Sequence, residues 1–257
     1  MADIFIDAPG GKRFARVWGD PDASSAPIVL LHDSLGSVEL WRDFPERLAE
    51  ATGRAVVAYD RLGFGRSDPY PGALDADFIR EEARSSLPAL RARLGIERII
   101  LFGHSVGGGM SVCAGAALPD SVVAVITESA QAFVEDRTLA GIREAEKDFA
   151  GPGQMERLAR YHGDKAQWVL EAWTRTWLSP RFADWTLDAQ LRRLRCPVLA
   201  LHGDRDEYGS RLHPERIGSL PPGGGEVAIF EDCGHVPHRE KPELVLQAVA
   251  GFVAALS

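Results

Sequence analysis

Cysteine is scarce. The 257 residues hold three, Cys113, Cys196 and Cys233, an odd number without C-x-x-C spacing. That argues against a disulfide framework or a cysteine zinc cluster and reads the thiols as small buried apolar residues. Long hydrophobic runs are also missing, with no stretch of about 18 apolar residues anywhere. The opening Met1-Ala2-Asp3-Ile4-Phe5-Ile6-Asp7 has neither a basic leader nor an apolar segment, so a cytoplasmic location and no membrane partner are expected. Positive charge is in deficit, with 29 Lys and Arg against 37 Asp and Glu. The net charge of −8 disfavours phosphate backbones, and no nucleic-acid partner is expected. No pair of histidines has zinc-site spacing, so neither a metal nor a cofactor is implied. Repeats and low-complexity tracts are absent; only Gly151-Pro152-Gly153 and Pro221-Pro222-Gly223-Gly224-Gly225 punctuate the chain.

The chain is 45% hydrophobic and 26% charged, enough apolar material for one globular core. Short apolar runs at 13–18, 28–32, 55–59, 98–102, 122–127, 198–202 and 226–230 alternate with helical patterns at 38–51, 75–94, 106–118, 211–220 and 242–256. This alternation predicts an α/β fold with a mostly parallel central sheet flanked by helices. In the last helix, Leu244, Leu246, Val249, Phe252 and Val253 form an apolar stripe. The alternation fails between about 135 and 194, which reads as consecutive helices. The expected organisation is therefore a core of 1–134 and 195–257 with a helical insertion at 135–194. The insertion carries four of the six tryptophans, including Trp168, Trp173 and Trp177. Some of these rings pack the insertion onto the core; others, with Tyr208, are candidates to line an apolar substrate cleft.

Between the 98–102 run and the following helix lies Gly103-His104-Ser105-Val106-Gly107, a G-x-S-x-G sequence. A serine hydroxyl is a weak nucleophile, and a sharp strand-to-helix turn lifts it towards a base and beside free amides. The flanking glycines allow the close backbone approach such a turn requires. His235, on the loop after the 226–230 run, is the candidate base; His238 is the alternative, expected nearer to solvent. The candidate acid is Asp206, beyond the strand-ending Gly203, with Glu128 as its rival and Asp204 as a turn brace or partner of Arg205. Oxyanion donors are expected from the Val106 amide, at a helix N-terminus, and from the 33–37 loop, with Ser34 first and Leu35 second. His32 and His202 read as loop braces, His104 as buried in the elbow, and His162 and His213 as surface residues. Asp60 and Ser67 read as fixing a turn.

Together these landmarks resemble the α/β-hydrolase fold superfamily. The resemblance rests on Gly103-His104-Ser105-Val106-Gly107-Gly108, Leu30-Leu31-His32, Asp60-Arg61-Leu62-Gly63-Phe64-Gly65-Arg66-Ser67, His202-Gly203-x-x-Asp206 and Gly234-His235, in that superfamily's order of serine, acid and histidine. It implies a sheet of about eight strands and places the helical insertion where the family carries its cap. Two departures stand out: His32-Asp33 replaces the usual His-Gly, and Glu207-Tyr208-Gly209 replaces a proline-bearing continuation. A serine at the elbow sets aside the aspartate-nucleophile dehalogenases and epoxide hydrolases. His104 and Val236 weaken the carbon–carbon hydrolase branch, which resembles a group with Asn before the serine and Trp after the histidine. The expected function is serine hydrolysis of a carboxylic ester or lactone of a small, fairly apolar substrate, by an acyl-enzyme on Ser105. Carbon–carbon hydrolysis of ring-fission products and non-catalytic ligand binding or sensing on the same scaffold are the alternatives.

Overall fold

Strands covered by helices on both faces have no polar side to present, and Ile28–Leu31, Val56–Tyr59 and Val198–Gly203 are buried throughout. The computed structural model describes residues 1–21 and 25–256; residues 22–24 and 257, within the span expected for the core, lie outside the described residues. Its strands are β1 (Ala2–Ala8), β2 (Gly11–Trp18), β3 (Ile28–Leu31), β4 (Val56–Tyr59), β5 (Ile99–His104), β6 (Val122–Glu128), β7 (Val198–Gly203) and β8 (Glu226–Phe230). They form one sheet in the order β1-β2-β4-β3-β5-β6-β7-β8. β2 runs antiparallel to both its neighbours, and every other pairing is parallel. β1 was not among the apolar runs because it is an edge strand on which only Ile6 is fully covered. Pairing with β2 through a tight turn, in which Gly10 has φ 85°, holds it in place.

The helices are α1 (Phe44–Thr52), α2 (Phe78–Glu81), α3 (Ser86–Leu94), α4 (Val106–Ala117), α5 (Asp136–Phe149), α6 (Gln154–His162), α7 (Ala166–Trp177), α8 (Asp188–Leu191), α9 (Leu212–Ser219), α10 (Pro237–Glu240) and α11 (Pro242–Ala254). The helix expected at 38–51 is two elements, a 3-10 turn over Val38–Trp41 and then α1, because Arg42 turns to φ 54° and Pro45 fits only a helix's first turn. The pattern at 75–94 likewise divides into α2 and α3. Alternate strand residues feed two cores. Val29, Leu31, Val57 and Leu101 meet Leu87, Leu90, Met110 and Ile217 on one face, while Ile28, Leu30, Val56 and Phe102 meet Phe44, Leu48, Val249 and Phe252 on the other. Each such buried chain contributes about 1.5–3 kcal/mol. On α11 the inward position is Val245, fully buried, rather than Leu244, which is 46% exposed.

Helices α5 to α8 fill the chain between β6 and β7, and there Trp177, Phe182 and Trp185 pack on one another with centroids 5.1–5.5 Å apart. From β3 the chain passes outward to β4, then returns across β3 to β5 and onward to β8. The reversal falls between β3 and β5, and the crevice at their carboxyl ends is where such sheets hold ligands. Among the described residues no helix is long and apolar enough to cross a membrane. Cys113 and Cys233 are buried and Cys196 is half-buried.

Candidate active site

At the end of β5 the backbone turns so sharply that Ser105 takes φ 54° and ψ −123°, a conformation costing a non-glycine residue about 1–3 kcal/mol. Close packing holds it there: a Cβ on Gly103 would stand 2.0 Å from the Gly107 carbonyl oxygen, and one on Gly107 would stand 2.1 Å from that of Leu31. The second contact presses the start of α4 against the end of β3, so the 33–36 loop lies beside the Val106 end of the helix. Ser105 is 7% exposed, and its hydroxyl lies 3.5 Å from Gln131 Oε1.

A cavity of about 230 Å³ opens over this turn, lined by Ser34, Leu35, Ser105, Gln131, Trp173, Trp177, Tyr208 and His235 among others. Ser105 and His235 are thus brought to one cavity. His235 Nδ1 lies 2.8 and 2.9 Å from the two oxygens of Asp206, which is fully buried. The acid loop is built for this contact. Asp206 accepts the Tyr208 amide, while Arg137 and Thr138 of α5 donate to the carbonyls of Asp206 and Tyr208. Gly203 permits the approach of the two loops, since a Cβ there would meet the Cys233 carbonyl oxygen at 2.3 Å. Burial opposes an imidazolium at His235, yet the charge and hydrogen bond of Asp206 outweigh it and raise its pKa. Burial likewise pushes Asp206 upward, and His235 more than reverses this, so the carboxyl stays below its ordinary value.

The rival acid and the rival base occupy each other. Glu128 Oε2 lies 2.6 Å from His238 Nδ1, and both residues are buried. His238 was expected near solvent; instead Pro237 opens α10 and turns the ring inward beneath Trp41 and Phe44, at 4.7 and 5.3 Å. Burial raises the Glu128 pKa less than His238 and His104 lower it. With His104 these two make the group among the described residues that could hold a metal ion, its donor atoms within 4.8 Å of one another. A contact of 2.6 Å is shorter than the separation of about 3.3 Å that two zinc ligands keep, so the geometry is that of a direct hydrogen bond. His104 Nε2 bonds to the His235 carbonyl at 2.8 Å, and burial lowers its pKa to about 4.

Several expectations about polar residues are corrected. His162 and His213 are not at the surface; both are buried and both bridge elements. From α6, His162 accepts the Gly65 amide at Nδ1, 2.9 Å away, and Nε2 lies 3.0 Å from the Leu35 carbonyl. His213 accepts the Ala132 amide and reaches Glu135 at 3.0 Å. Trp168 lies outside the Ser105 cavity: it stacks on Tyr70 at 5.4 Å and donates to the Gly72 carbonyl. Arg205 pairs with Asp232, not Asp204, whose carboxylate accepts the Cys233 amide. His32, His202, Asp60 and Ser67 do brace loops, the last two by bonds from the Val38 and Arg66 amides to Asp60 and from the Ser67 hydroxyl to the Asp60 carbonyl. The lining residues missed in the sequence include Gln131 and Asp33, for which the available signal was position just beyond β6 and β3.

The alpha/beta hydrolase family model matches residues 28–248. A proline iminopeptidase of Lactiplantibacillus plantarum is 36% identical over 108 residues, 41% of this chain and 36% of its own length; the match thus spans about a third of that relative. Among solved structures, an esterase from a Rhodococcus species superposes with a TM-score of 0.76 at 22% identity over 100% of both chains. The enol-lactonase of Burkholderia xenovorans does so with a TM-score of 0.75 at 19% identity, over 98% of this chain and 100% of its own. The two structures speak for the fold alone, while the family model covers most of the sequence, and the chain belongs to the alpha/beta hydrolase family.

Proposed function

We propose that this chain is a serine hydrolase that opens a carboxylic ester or lactone of a small, fairly apolar substrate through an acyl-enzyme on Ser105. The observation that carries this reading is a strained, buried serine sharing a cavity with a histidine whose Nδ1 is held by a buried carboxylate. With Nδ1 committed to Asp206, Nε2 is the nitrogen left to take the Ser105 proton as Oγ attacks the carbonyl. The amides of Val106 and Ser34 or Leu35 receive the oxyanion. The intermediate collapses, His235 protonates the departing alkoxide, and water removes the acyl group by the same steps. A cavity of about 230 Å³ walled by Ile142, Trp173, Trp177 and Tyr208 supports a small apolar acyl group under a cap formed by 135–194.

An esterase and an enol-lactonase share this fold, which is thus compatible with ester or lactone cleavage, and the iminopeptidase relative makes an amide the competing bond. A fluorophosphonate probe and a panel of 4-nitrophenyl esters test the reading. The expected outcome is one label, on Ser105, and a loss of roughly 10³-fold or more in turnover for Ser105→Ala. An unlabelled Ser105, with wild type and Ser105→Ala equally slow, would replace catalysis by ligand binding.

A further inference from the structure

Beside the catalytic cavity lies a second one of about 370 Å³, which shares Asp33 and Leu35 with it. One wall is α6, carrying Arg157 and Arg160; the other holds Arg42, after the Val38–Trp41 turn, and Arg239 on α10. In a chain with eight more acidic than basic residues, four arginines face one groove against a single lining carboxylate, Asp33. None of the four enters an ion pair among the described residues. Arg239 is fixed by a bond to the Leu40 carbonyl, and Arg157 makes only a long contact, 3.4 Å, with Gln154. Burial lowers the Arg239 pKa, the charge of Asp33 opposes this, and the nearby Arg42 lowers it further.

Arg42 carries a second, independent mark. It is one of four non-glycine residues with positive φ among the described residues, and at φ 54°, ψ −126° its backbone matches that of Ser105 to within a few degrees. Strain of this kind persists where surrounding structure enforces it and gathers at ligand clamps. Here it sets a guanidinium at the groove's lip. Guanidinium groups clustered without ion pairs suit a carboxylate or phosphate, which would balance their charge and accept their paired donors.

We infer that this groove is a subsite for an anionic group, a carboxylate or phosphate carried on the substrate whose acyl carbon is attacked at Ser105. The inference rests on the hydrolase reading, and it assigns the substrate two unlike ends. A small apolar portion fills the aromatic cavity, and an oxyanionic portion reaches the arginines across Asp33 and Leu35.

Matched substrates test it. For a carboxylate on the acyl arm, 4-nitrophenyl butyrate is compared with mono-4-nitrophenyl glutarate; for a phosphate on the alcohol arm, 1-butyrylglycerol is compared with its 3-phosphate. The anionic member of one pair should show the higher kcat/KM, and Arg157→Gln/Arg160→Gln should raise its KM about tenfold or more while leaving the neutral member unchanged. Arg181→Gln/Arg193→Gln, both exposed and outside the groove, controls for the loss of two charges. The responding pair identifies the anion. If both members of each pair respond alike, or the control has the same effect, the inference fails. Titration of Ser105→Ala with glutarate and with glycerol 3-phosphate reads the groove without turnover. Binding that the double variant abolishes upholds the subsite even if no ester is cleaved; binding of neither, or binding the variant leaves intact, removes it.

Discussion

At the level of single residues, the sharpest distinction is between two buried carboxylates. Asp206 meets His235, whereas Glu128 meets His238, and each carboxylate is engaged at the Nδ1 of its own imidazole. On the proposed mechanism Asp206→Asn lowers kcat roughly 10³–10⁴-fold, because the amide no longer enforces the tautomer or stabilises the imidazolium. Glu128→Gln costs stability and far less rate; acylation measured by probe labelling ranks the two, and the reverse ranking would move the acid role to Glu128. The pH profile gives a second readout. Asp206 raises the His235 pKa against burial, so kcat/KM climbs with pH as His235 loses its proton, and Asp206→Asn should move that limb to more acidic pH. Asp206 and His235 were legible as loop residues at one sheet edge. The buried state of His238 was not, because adjoining Arg239-Glu240-Lys241 reads as surface while a proline-started turn directs a single ring inward.

At the level of elements, the helical segment is tied to the core at a few defined points. His162 joins α6 to the Asp60–Ser67 loop and to the loop carrying Ser34 and Leu35, and Lys165 adds a bond to the Gly65 carbonyl at 2.8 Å. Removing the ring in His162→Ala leaves one buried amide and one carbonyl without partners, a destabilisation of about 2–4 kcal/mol that urea unfolding would measure. Since Leu35 belongs to a candidate oxyanion loop, kcat should fall more than KM rises, and His162→Gln, which keeps a side-chain amide, should recover part of it. Unchanged kcat in a folded His162→Ala variant would leave the ring a purely structural tie. The strands within the sheet were readable because burial on both faces demands continuous apolar runs. β1 was not, since an edge strand half open to solvent carries Asp3 and Asp7 among its apolar residues.

Over the whole molecule, buried neutral histidines set the acid limit of stability. Burial lowers His104 and His213 to about 4, and it lowers His32, His162 and His202 as well. Unfolded, these rings titrate near 6.5, so the unfolded chain binds more protons below that pH. Stability therefore falls as pH drops from about 6.5 towards 4, by up to about 1.4 kcal/mol per pH unit for each ring, and for His104 and His213 the loss levels off below 4. His235 has the opposite sign: its raised pKa adds stability that is present below about 6.5 and lost as pH rises through the folded value. Urea midpoints at pH 7.5, 6 and 5 would check the net trend, and flat midpoints would contradict it.

Local chemistry is written in the order of residues. Apolar runs, the glycines of the elbow, and a serine, aspartate and histidine at successive strand ends were enough to point to the fold, the turn and the candidate machinery, because each depends on neighbours within a few positions. What depends on residues far apart in the chain was decided by packing. Glu128 and His238 lie 110 positions apart and cancel each other; His162 is buried by loops about a hundred residues away; Trp168 leaves the cavity for Tyr70 while Trp173 and Trp177 remain. The arginine groove is assembled from three separate stretches, and no local pattern of spacing or hydrophobicity records that those four charges come to face one another.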